Sequence, residues 1–441
     1  MEKVRMNHGN SSIRKVQMTL EGGESREDWT FARADTTYLT HRLHDYPARM
    51  IPQIAQRLIE RYSPIRGNIL DPFCGSGTTL IEARLAKRNA IGNDINPLAV
   101  LIAKVKSTSI DFINAGFDPS EFASNLRKEH TLLKKSGALP DPPLSILPNL
   151  FHWFKEYVAS DLEYLYQRIT RIEDEDIRDF LKIVLSDTIF KTSNIDHHSS
   201  RFIRILHKDK LETFRPNVLG HFERKLFDSV TRMIQYSRRL KELQIDNDIT
   251  VTARKGDARK LPFSKDEFDA AITSPPYGEE KNTVGYSRWS KLSIAWLRLN
   301  SNVLKESEKM ALGAIATKDT LDQLDGLPSQ TAKKTLEEIA KKDPKRIGDA
   351  LPFFFDYFET MKELHRVLKP ESFYCIVIGD RSIRKRLIDM ERITVELGEA
   401  AGFRHVTSFL RKIPIKLIPW STPTGKTISQ ESIIILQKSR C

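Results

Sequence analysis

Two short segments of this chain carry residues whose types and spacing could do chemistry. The first is Asp71–Thr79 (DPFCGSGTT), an acid followed by a glycine-rich turn. The second is Thr273–Tyr277 (TSPPY), much later in the chain. Glycine lets the backbone approach a ligand closely, and the N-terminus of a following helix supplies N–H groups. The first segment therefore predicts a binding loop, and the second predicts hydrogen-bond acceptors on a backbone that two prolines stiffen.

The residues around both segments predict a doubly wound, Rossmann-like α/β fold. Residues 67–71 are typical of a short strand, Thr78–Lys87 of a helix, and Asn89–Asp94 of the next strand. The apolar run Phe268–Thr273 predicts another strand that leads into the second segment. Both segments then lie at the carboxyl edge of a sheet, where ligands bind in such folds.

The pattern of acids and glycines in the first segment restricts the ligand. Asp94 falls at the end of the second predicted strand, where an acid usually binds ribose hydroxyls. A nicotinamide site is disfavoured because Leu80 stands where the third glycine belongs. A P-loop is disfavoured because no Gly-Lys-Ser/Thr sequence follows the turn.

Together the two segments resemble the cofactor loop and the catalytic loop of amino-methyltransferases, which methylate exocyclic amines of nucleobases. The Ser-Pro-Pro-Tyr form is similar to that of DNA cytosine-N4 methyltransferases, whereas most adenine-N6 enzymes have Asp or Asn first. The resemblance covers Tyr38–Pro97 and Val251–Trp296, and Phe353–Gln437 loosely. It implies a class I methyltransferase sheet, S-adenosylmethionine as cofactor and double-stranded DNA as substrate. It also implies a cytoplasmic prokaryotic enzyme that protects DNA from a cognate restriction endonuclease.

The resemblance also implies roles for individual residues around the cofactor. Asp71 would accept from the amino group of the methionine part, and Asp257 from the adenine amine. His44 and Tyr46 lie in a segment that closes over the methionine end in the family, although a histidine near a turn is equally typical of a structural residue. The complete predicted cofactor set is Asp71, Phe73, Gly75, Ser76, Gly77, Thr78, Asp94, Asp257, His44 and Tyr46.

The predicted catalytic residues are Ser274, Pro275, Pro276 and Tyr277. The lone pair of the target nitrogen is delocalised into the base, so acceptors at its N–H groups must localise it. The Ser274 hydroxyl and the Pro275 carbonyl suit that task, and Tyr277 could stack on the base. Cytosine-C5 chemistry is disfavoured because it needs a cysteine nucleophile after a proline, and no cysteine here follows one.

Composition sets broader limits on function. The chain has 441 residues, a formal net charge of +12 and a sequence pI of about 9.4, which favours a polyanionic partner. Its three cysteines lack metal-ligand spacing, and we predict no metal site. No apolar run is long enough to span a membrane, and the polar N-terminus does not resemble a signal peptide.

The sequence divides into a polar tail, a catalytic domain and an insertion. We place the tail at residues 1–30, the catalytic domain at 31–106 and 248–441, and a mostly helical insertion at 107–247. The insertion is the candidate target-recognition region because it carries a cluster of basic residues, although a solvated helix face would have the same pattern. The candidate nucleic-acid residues in this cluster are Arg201, Arg204, Lys208, Lys210 and Arg215.

Further elements are predicted in the last part of the chain. We expect helices over Phe353–Val367 and Ile383–Ala401, and strands over Phe373–Ile378, Phe403–Arg411 and Ser432–Gln437. For function, an adenine-N6 DNA enzyme or an RNA base methyltransferase remains an alternative. A non-catalytic nucleic-acid-binding protein on the same fold is a more distant one.

Overall fold

The structure is a computed structural model. It describes residues 27–196, 205–245, 248–278, 285–299, 309–315, 323–383, 386–413, 421–422, 425–426 and 429–440. The predicted nucleic-acid residues Arg201 and Arg204 lie outside these ranges, as does most of the predicted tail.

Seven strands form one α/β sheet. The strands of the chain are β1 Asn68–Asp71, β2 Asn89–Asp94, β3 Val251–Lys255, β4 Phe268–Thr273, β5 Leu368–Gly379, β6 Arg381–Ile383, β7 Arg386–Ile388, β8 Phe403–Lys412, β9 Ser421–Thr422, β10 Gly425–Lys426 and β11 Gln430–Lys438. The sheet order is β3-β2-β1-β4-β5-β11-β8. Strands β1 to β5 pair in parallel, and β11 runs antiparallel to both of its neighbours. This order confirms the predicted doubly wound, Rossmann-like fold.

The register of the central strands places the two sequence motifs side by side. Ile69 and Leu70 of β1 pair with Ala270 and Ala271 of β4, and all four are buried. Short apolar runs of this kind are typical of strands covered on both faces. Since β1 and β4 are parallel, Asp71 at the end of one strand lies next to the end of the other.

Helices cover the sheet and build the insertion. Within the described ranges, the helices with defined bounds are α1 Pro52–Tyr62, α2 Thr78–Leu85, α3 Pro97–Ser107, α4 Pro119–Ser136, α5 Leu150–Trp153, α6 Glu156–Ile169, α7 Glu175–Thr192, α8 Lys208–Thr213, α9 Val218–Glu242, α10 Tyr286–Trp296, α11 Gln330–Ala340, α12 Pro344–Val367 and α13 Met390–Ala400. Short 3-10 helices lie at Leu39–Arg42 and Leu144–Ile146. Pro52 begins α1, and Ile54, Ala55, Leu58 and Ile59 form its buried face, as their spacing predicts.

Helices α4 to α9 lie between α3 and β3, where the sequence predicts a helical insertion. Helix α7 packs against both α6 and α9, and its side chains Phe180 and Val184 are completely buried. The same apolar cluster includes Ile102 of α3 and Trp296 of α10. The insertion is therefore joined to α3 and α10 by a shared core.

The structure corrects two predicted helix boundaries. The helix predicted over Ile383–Ala401 begins only at Met390, after the antiparallel pair β6 and β7, and the Asp389 side chain caps it by accepting from the Arg392 N–H. The helix predicted from Phe353 begins at Pro344 and contains Pro352. The charged residues at 383–389 show no pattern that marks the short hairpin, and the packed helix continues through Pro352.

The predicted tail boundary is also too late. Trp29 is 1% exposed, and its ring packs against Phe409 of β8 at 5.1 Å between centroids. The guanidinium group of Arg57 lies 4.7 Å from the centre of the same ring, a cation–π distance. Residues 27–30 therefore belong to the folded domain.

Candidate active site

The loop between β1 and α2 is shaped by two glycines in the left-handed backbone region. Gly75 has φ +49° and Gly77 has φ +83°, values that residues with a Cβ rarely adopt. A Cβ on Gly77 would lie 2.9 Å from Ala103 of α3, so a larger residue does not fit. Gly77 is the N-cap of α2, and this turn directs the backbone N–H groups of the helix N-terminus to the edge of a pocket.

Asp71 places a buried carboxyl group in the wall of this pocket. It is 3% exposed, and its Oδ1 accepts from Thr273 Oγ1 at 2.6 Å and from the Phe73 N–H at 3.1 Å. Burial raises the pKa of Asp71 to about 6, although these hydrogen bonds act in the opposite direction. A cationic ligand group would favour the ionised form, so the site is suited to an ammonium group.

Asp94 connects the end of β2 to the glycine loop. Its Oδ2 accepts from the Gly75 N–H at 2.9 Å, and its Oδ1 accepts from the Asn96 N–H at 2.8 Å. Both bonds hold the carboxylate beside the loop, in the lining of the pocket. Its predicted role toward a ribose stays a prediction.

The pocket brings the two sequence motifs together at the carboxyl edge of the sheet. The predicted residues that line it are Tyr46, Asp71, Phe73, Gly75, Ser76, Thr78, Asp94, Asp257, Ser274 and Pro276. Gly77, Pro275 and Tyr277 lie directly next to lining residues and shape the two loops. The cofactor loop and the proline loop therefore share one cavity.

His44 is the predicted cofactor residue that the structure does not bring to the pocket. Its ring is buried, with Nε2 2.9 Å from Ser186 Oγ and Nδ1 2.6 Å from the Asp45 carbonyl oxygen. Burial lowers the pKa of His44 to about 4, so the ring is neutral at neutral pH. His44 thus lies outside the pocket lining, which favours the structural alternative that the sequence left open.

Tyr46 instead forms an aromatic wall of the pocket together with Tyr286 of α10. The two rings stack with their centroids 5.8 Å apart, and Trp289 packs edge-on against Tyr46 at 5.6 Å. Asn96 Nδ2 donates to the Tyr46 hydroxyl at 3.3 Å. Sequence reasoning missed Tyr286 and Asn96. Tyr286 could have been predicted from its spacing to Trp289, because aromatic residues one helical turn apart share a helix face.

Arg259 was also missed, and it organises the part of the pocket after β3. Its guanidinium group donates to Asp257 at 2.7 and 3.0 Å and forms an ion pair with Asp356 of α12 at 2.8 Å. It also donates to the carbonyl oxygen of Met310 at 3.0 Å, and Met310 lines the pocket. Arg259 therefore links the predicted adenine acceptor, Asp257, to the opposite wall.

The loop after β4 fixes the direction of the Ser274 hydroxyl. Ser274 Oγ donates to the carbonyl oxygen of Val377 on β5 at 2.9 Å, which leaves its lone pairs to accept other hydrogen bonds. The Tyr277 hydroxyl lies 3.4 Å from Ser274 Oγ and donates to Glu431 of β11 at 3.0 Å. Glu431 was not predicted, because no local pattern marks a residue that lies 154 positions away from its partner.

Aromatic contacts link the pocket lining to α7, the helix that precedes the basic segment in the chain. Trp289 packs against both Tyr46 and Phe190 of α7. Beyond α7, the Leu206 N–H donates to the Asn194 carbonyl oxygen at 2.8 Å, just before α8. Lys208, Lys210 and Arg215, the predicted nucleic-acid residues within the described ranges, are exposed in and after α8.

The residues that the structure describes contain no group of three His, Cys, Asp or Glu side chains that could hold a metal ion. Among the same residues, no helix is both long and apolar enough to cross a membrane.

Comparisons with known proteins identify relatives of this chain. A family model described as DNA methylase matches residues 4–105. The chain is 32% identical over 424 residues to the type II methyltransferase M.MvaI of Kocuria varians, covering 92% of this chain and 93% of that protein. It is 24% identical over 439 residues to the type II methyltransferase M.BsoBI of Geobacillus stearothermophilus, covering 88% and 84%. A solved S-adenosylmethionine-dependent methyltransferase of Methanosarcina mazei matches 87% of this chain and 97% of its own, at 12% identity and a TM-score of 0.30.

The similarity to M.MvaI extends over nearly the whole chain, so the chain belongs to the type II DNA methyltransferases of restriction-modification systems. As a member of this family it uses S-adenosylmethionine as its cofactor. The pocket fits this cofactor, because Asp71 offers a buried carboxyl group that suits its ammonium group. In addition, Ser76 Oγ is buried in the pocket wall and has no hydrogen-bond partner among the described residues, so it can bond a ligand.

Proposed function

We propose that this chain methylates the N4 amine of cytosine within a specific sequence of duplex DNA. The observation that supports this most strongly is the position of Ser274. It offers a neutral acceptor oxygen to the same pocket that Asp71 and Asp94 line, where the resemblance to cytosine-N4 enzymes expects one. When bound, S-adenosylmethionine supplies a methyl group on a positively charged sulfur, which the lone pair of a well-placed amine can attack.

The residues of the loop can prepare the amine for that attack. Since the Ser274 hydroxyl proton is donated to Val377, Ser274 Oγ can accept one N–H of the amine. The Pro275 carbonyl can accept the other N–H, and two prolines in sequence hold both acceptors in place before the substrate arrives. Two such acceptors localise the nitrogen lone pair and aim it into the pocket. The base must leave the duplex to reach them, and the ring of Tyr277 is suited to stack on it.

In this proposal, different lining residues bind different parts of the cofactor. Asp71 binds the ammonium group of the methionine part, and Asp94 binds the ribose hydroxyls. Asp257, held by Arg259, accepts from the adenine amine. Tyr46 covers the methionine end from the side of α10, where it stacks on Tyr286.

The helical insertion at 107–247 supplies target recognition in this proposal. Lys208, Lys210 and Arg215 are exposed and lie close together in the chain. Lys155 Nζ anchors α8, which carries the two lysines, by donating to the Leu211 carbonyl oxygen at 2.9 Å. Exposed lysines and arginines on an anchored helix suit phosphate contacts, which position a protein on DNA. We further propose that the enzyme protects its site against a cognate endonuclease that cuts the same sequence.

Nucleoside mass spectrometry tests the proposed reaction. The protein is incubated with S-adenosylmethionine labelled in its methyl group and with either unmethylated DNA or bulk tRNA, and the polymers are digested to nucleosides. We expect labelled N4-methylcytosine from DNA and no labelled nucleoside from tRNA. Labelled N6-methyladenine would contradict the base assignment that rests on Ser274, and label in tRNA alone would contradict both the substrate and the protective role.

A further inference from the structure

Glu431 is an acid that the cofactor pocket does not use, and it lies behind the catalytic loop. Its side chain is 15% exposed, and its Oε1 accepts from the Tyr277 hydroxyl at 3.0 Å. Its Oε2 forms an ion pair with Arg411 of β8, whose side chain is 8% exposed. The carboxylate therefore connects the catalytic loop to the far edge of the sheet.

The sheet register explains how Glu431 reaches the loop. Glu431 pairs with Arg411 on β8 and with Gly379 on β5. Paired residues of antiparallel strands project to the same face, so Arg411 lies beside Glu431, whereas Gly379 places no side chain on the other side. Since β5 lies between β4 and β11 in the sheet, Glu431 reaches the loop after β4 across β5, where its carboxylate accepts from Tyr277.

The distances in this group favour one arrangement of protons, because the Ser274 bond to Val377 is shorter than its contact with Tyr277. A carboxylate can only accept, so the Tyr277 hydroxyl donates to Glu431. Ser274 donates its own proton to Val377. The Tyr277 and Ser274 oxygens are 3.4 Å apart, so a Tyr277 hydroxyl released from Glu431 could turn and donate to Ser274. That bond would occupy one of the two lone pairs of Ser274 Oγ and compete with the target amine for this oxygen.

We propose that Glu431, held by Arg411, is a positioning residue for methyl transfer that directs the Tyr277 hydroxyl proton away from Ser274. The acceptor sites of Ser274 thereby stay open to the target amine. This inference rests on the acceptor role of Ser274 given above. Burial and the adjacent Glu431 carboxylate also raise the pKa of Tyr277 well above its ordinary value, so the phenol keeps its proton at neutral pH.

The first test is Glu431→Gln, measured as total labelled methyl groups transferred to DNA. A glutamine keeps its amide oxygen toward the Arg411 guanidinium, which can only donate, and so turns its NH2 group toward Tyr277. The Tyr277 hydroxyl then accepts from this group, and its proton is no longer directed away from Ser274. Because the loss is one of alignment at the reacting nitrogen, we expect kcat to fall about ten- to a hundredfold. The Kd for S-adenosylmethionine should stay within about twofold, since Glu431 does not line the cofactor pocket.

The matched control is Asp266→Asn, which removes the acid from an ion pair at the opposite end of β11. Asp266 Oδ1 lies 2.6 Å from Lys438 Nζ, far along the strand from the catalytic loop. We expect kcat to be unchanged in this variant. Arg411→Met provides a second test, because it keeps the carboxylate and removes its support, and it should lower kcat less than Glu431→Gln does. If Glu431→Gln and Arg411→Met both lower thermal stability but leave kcat unchanged, the proposal is overturned.

A double variant separates this role from a merely structural one. In a Tyr277→Phe background no hydroxyl proton can turn toward Ser274, so adding Glu431→Gln should cause no further loss of kcat. If kcat in the double variant instead falls by the product of the two single-variant losses, the proposal is contradicted. Because all methyl groups are counted, the result does not depend on the base: N6-methyladenine as product would overturn the proposed specificity and leave this test valid.

Discussion

The cofactor side and the acceptor side of the active site are built in different ways. Asp71, Gly75, Gly77 and Asp94 come from one β-loop-α-β unit. The side-chain hydrogen bonds of Asp71 and Asp94 are made within this unit, with the nearby Asn96 or with the adjacent strand end. The acceptor loop, Thr273–Tyr277, is one short continuous segment, but residues from elsewhere in the chain orient its side chains. The orientation of Ser274 depends on Val377, which lies 103 residues further along the chain, and that of Tyr277 on Glu431, which lies 154 residues further along. We infer that cofactor binding and methyl transfer can be disrupted separately.

The largest separable effect on the cofactor side is expected from Gly77→Ala. The left-handed backbone costs a residue with a Cβ about 1–2 kcal/mol, and the contact with Ala103 at 2.9 Å adds about 1–3 kcal/mol of overpacking. The free energy of unfolding should fall by their sum, and cofactor affinity should fall with it. Chemical denaturation and calorimetric titration measure the two quantities.

Gly137→Ala is the matched control for this variant. Gly137 has φ +68°, but nothing lies within 4 Å of the added Cβ. Only the backbone cost of about 1–2 kcal/mol should appear, with unchanged affinity for S-adenosylmethionine. Equal effects of the two substitutions would show that the close approach of the loop to α3 is unimportant.

Arg259→Met tests the far wall of the cofactor pocket. The substitution leaves the Asp257 and Asp356 carboxylates without their shared cation and frees the Met310 carbonyl. Hydrogen bonds to charged groups contribute about 1.5–3 kcal/mol, so we expect roughly tenfold or greater weakening of cofactor binding. Fluorescence or calorimetric titration of S-adenosylmethionine measures it.

Arg366→Met is the control, because Arg366 bonds Glu363 and the carbonyl oxygens of Leu261 and Phe263 outside the pocket. Cofactor affinity should not change in this variant. If both arginine variants weaken binding equally, the effect comes from stability of the domain and not from Asp257.

The pH dependence of cofactor binding should report Asp71. Its pKa of about 6 is raised by burial, and the ammonium group of the cofactor favours the ionised form. Affinity should therefore be highest above pH 6 and fall severalfold as the pH drops through about 6 to 5. Titrations at several pH values should show this in the wild type and not in Asp71→Asn.

The same group should affect stability of the ligand-free protein with the opposite sign. An acid whose pKa is raised by folding binds more protons in the folded state, so its stabilising contribution is complete below pH about 4 and is lost as the pH rises through about 6. The difference in unfolding free energy between wild type and Asp71→Asn should follow that course. A difference that does not change with pH would contradict a buried Asp71 carboxyl group with a raised pKa.

The smallest effect is expected in the insertion, from Lys208→Ala. One phosphate contact changes the slope of log K against log salt by about 0.9 on duplex DNA. Binding to all sequences should weaken alike, and cofactor affinity should not change. Lys135→Ala, an exposed lysine at the end of α4, is the control. An unchanged salt slope for Lys208→Ala would mean that α8 faces solvent in the complex.

The same difference between the two sides governs what the sequence could predict. The loop at Asp71–Thr79 and the strand leading to Ser274 follow from local patterns, because glycine turns and apolar strands are encoded by adjacent residues. Arg259, Tyr286 and Glu431 were missed because their contacts depend on strand order and helix placement, which bring distant residues together.

The errors have a related cause. His44 is near the right segment, but its partner Ser186 lies in the insertion, so the sequence could not show that its ring is buried away from the pocket. The helix predicted from Ile383 was extended over a short hairpin whose strands are three residues each. Such strands are set by pairing and not by their own sequence pattern.

Ser274→Ala tests the separation of cofactor binding from methyl transfer most directly. On one sample, the Kd for S-adenosylmethionine is measured by calorimetry and the transfer of labelled methyl groups to DNA by scintillation counting, with Ser136→Ala as the exposed control. We predict loss of at least about a hundredfold in kcat, typical for removal of one catalytic hydrogen-bonding group, with a Kd within about twofold of wild type. Full transfer activity in Ser274→Ala, or cofactor binding lost together with transfer, would contradict the separation.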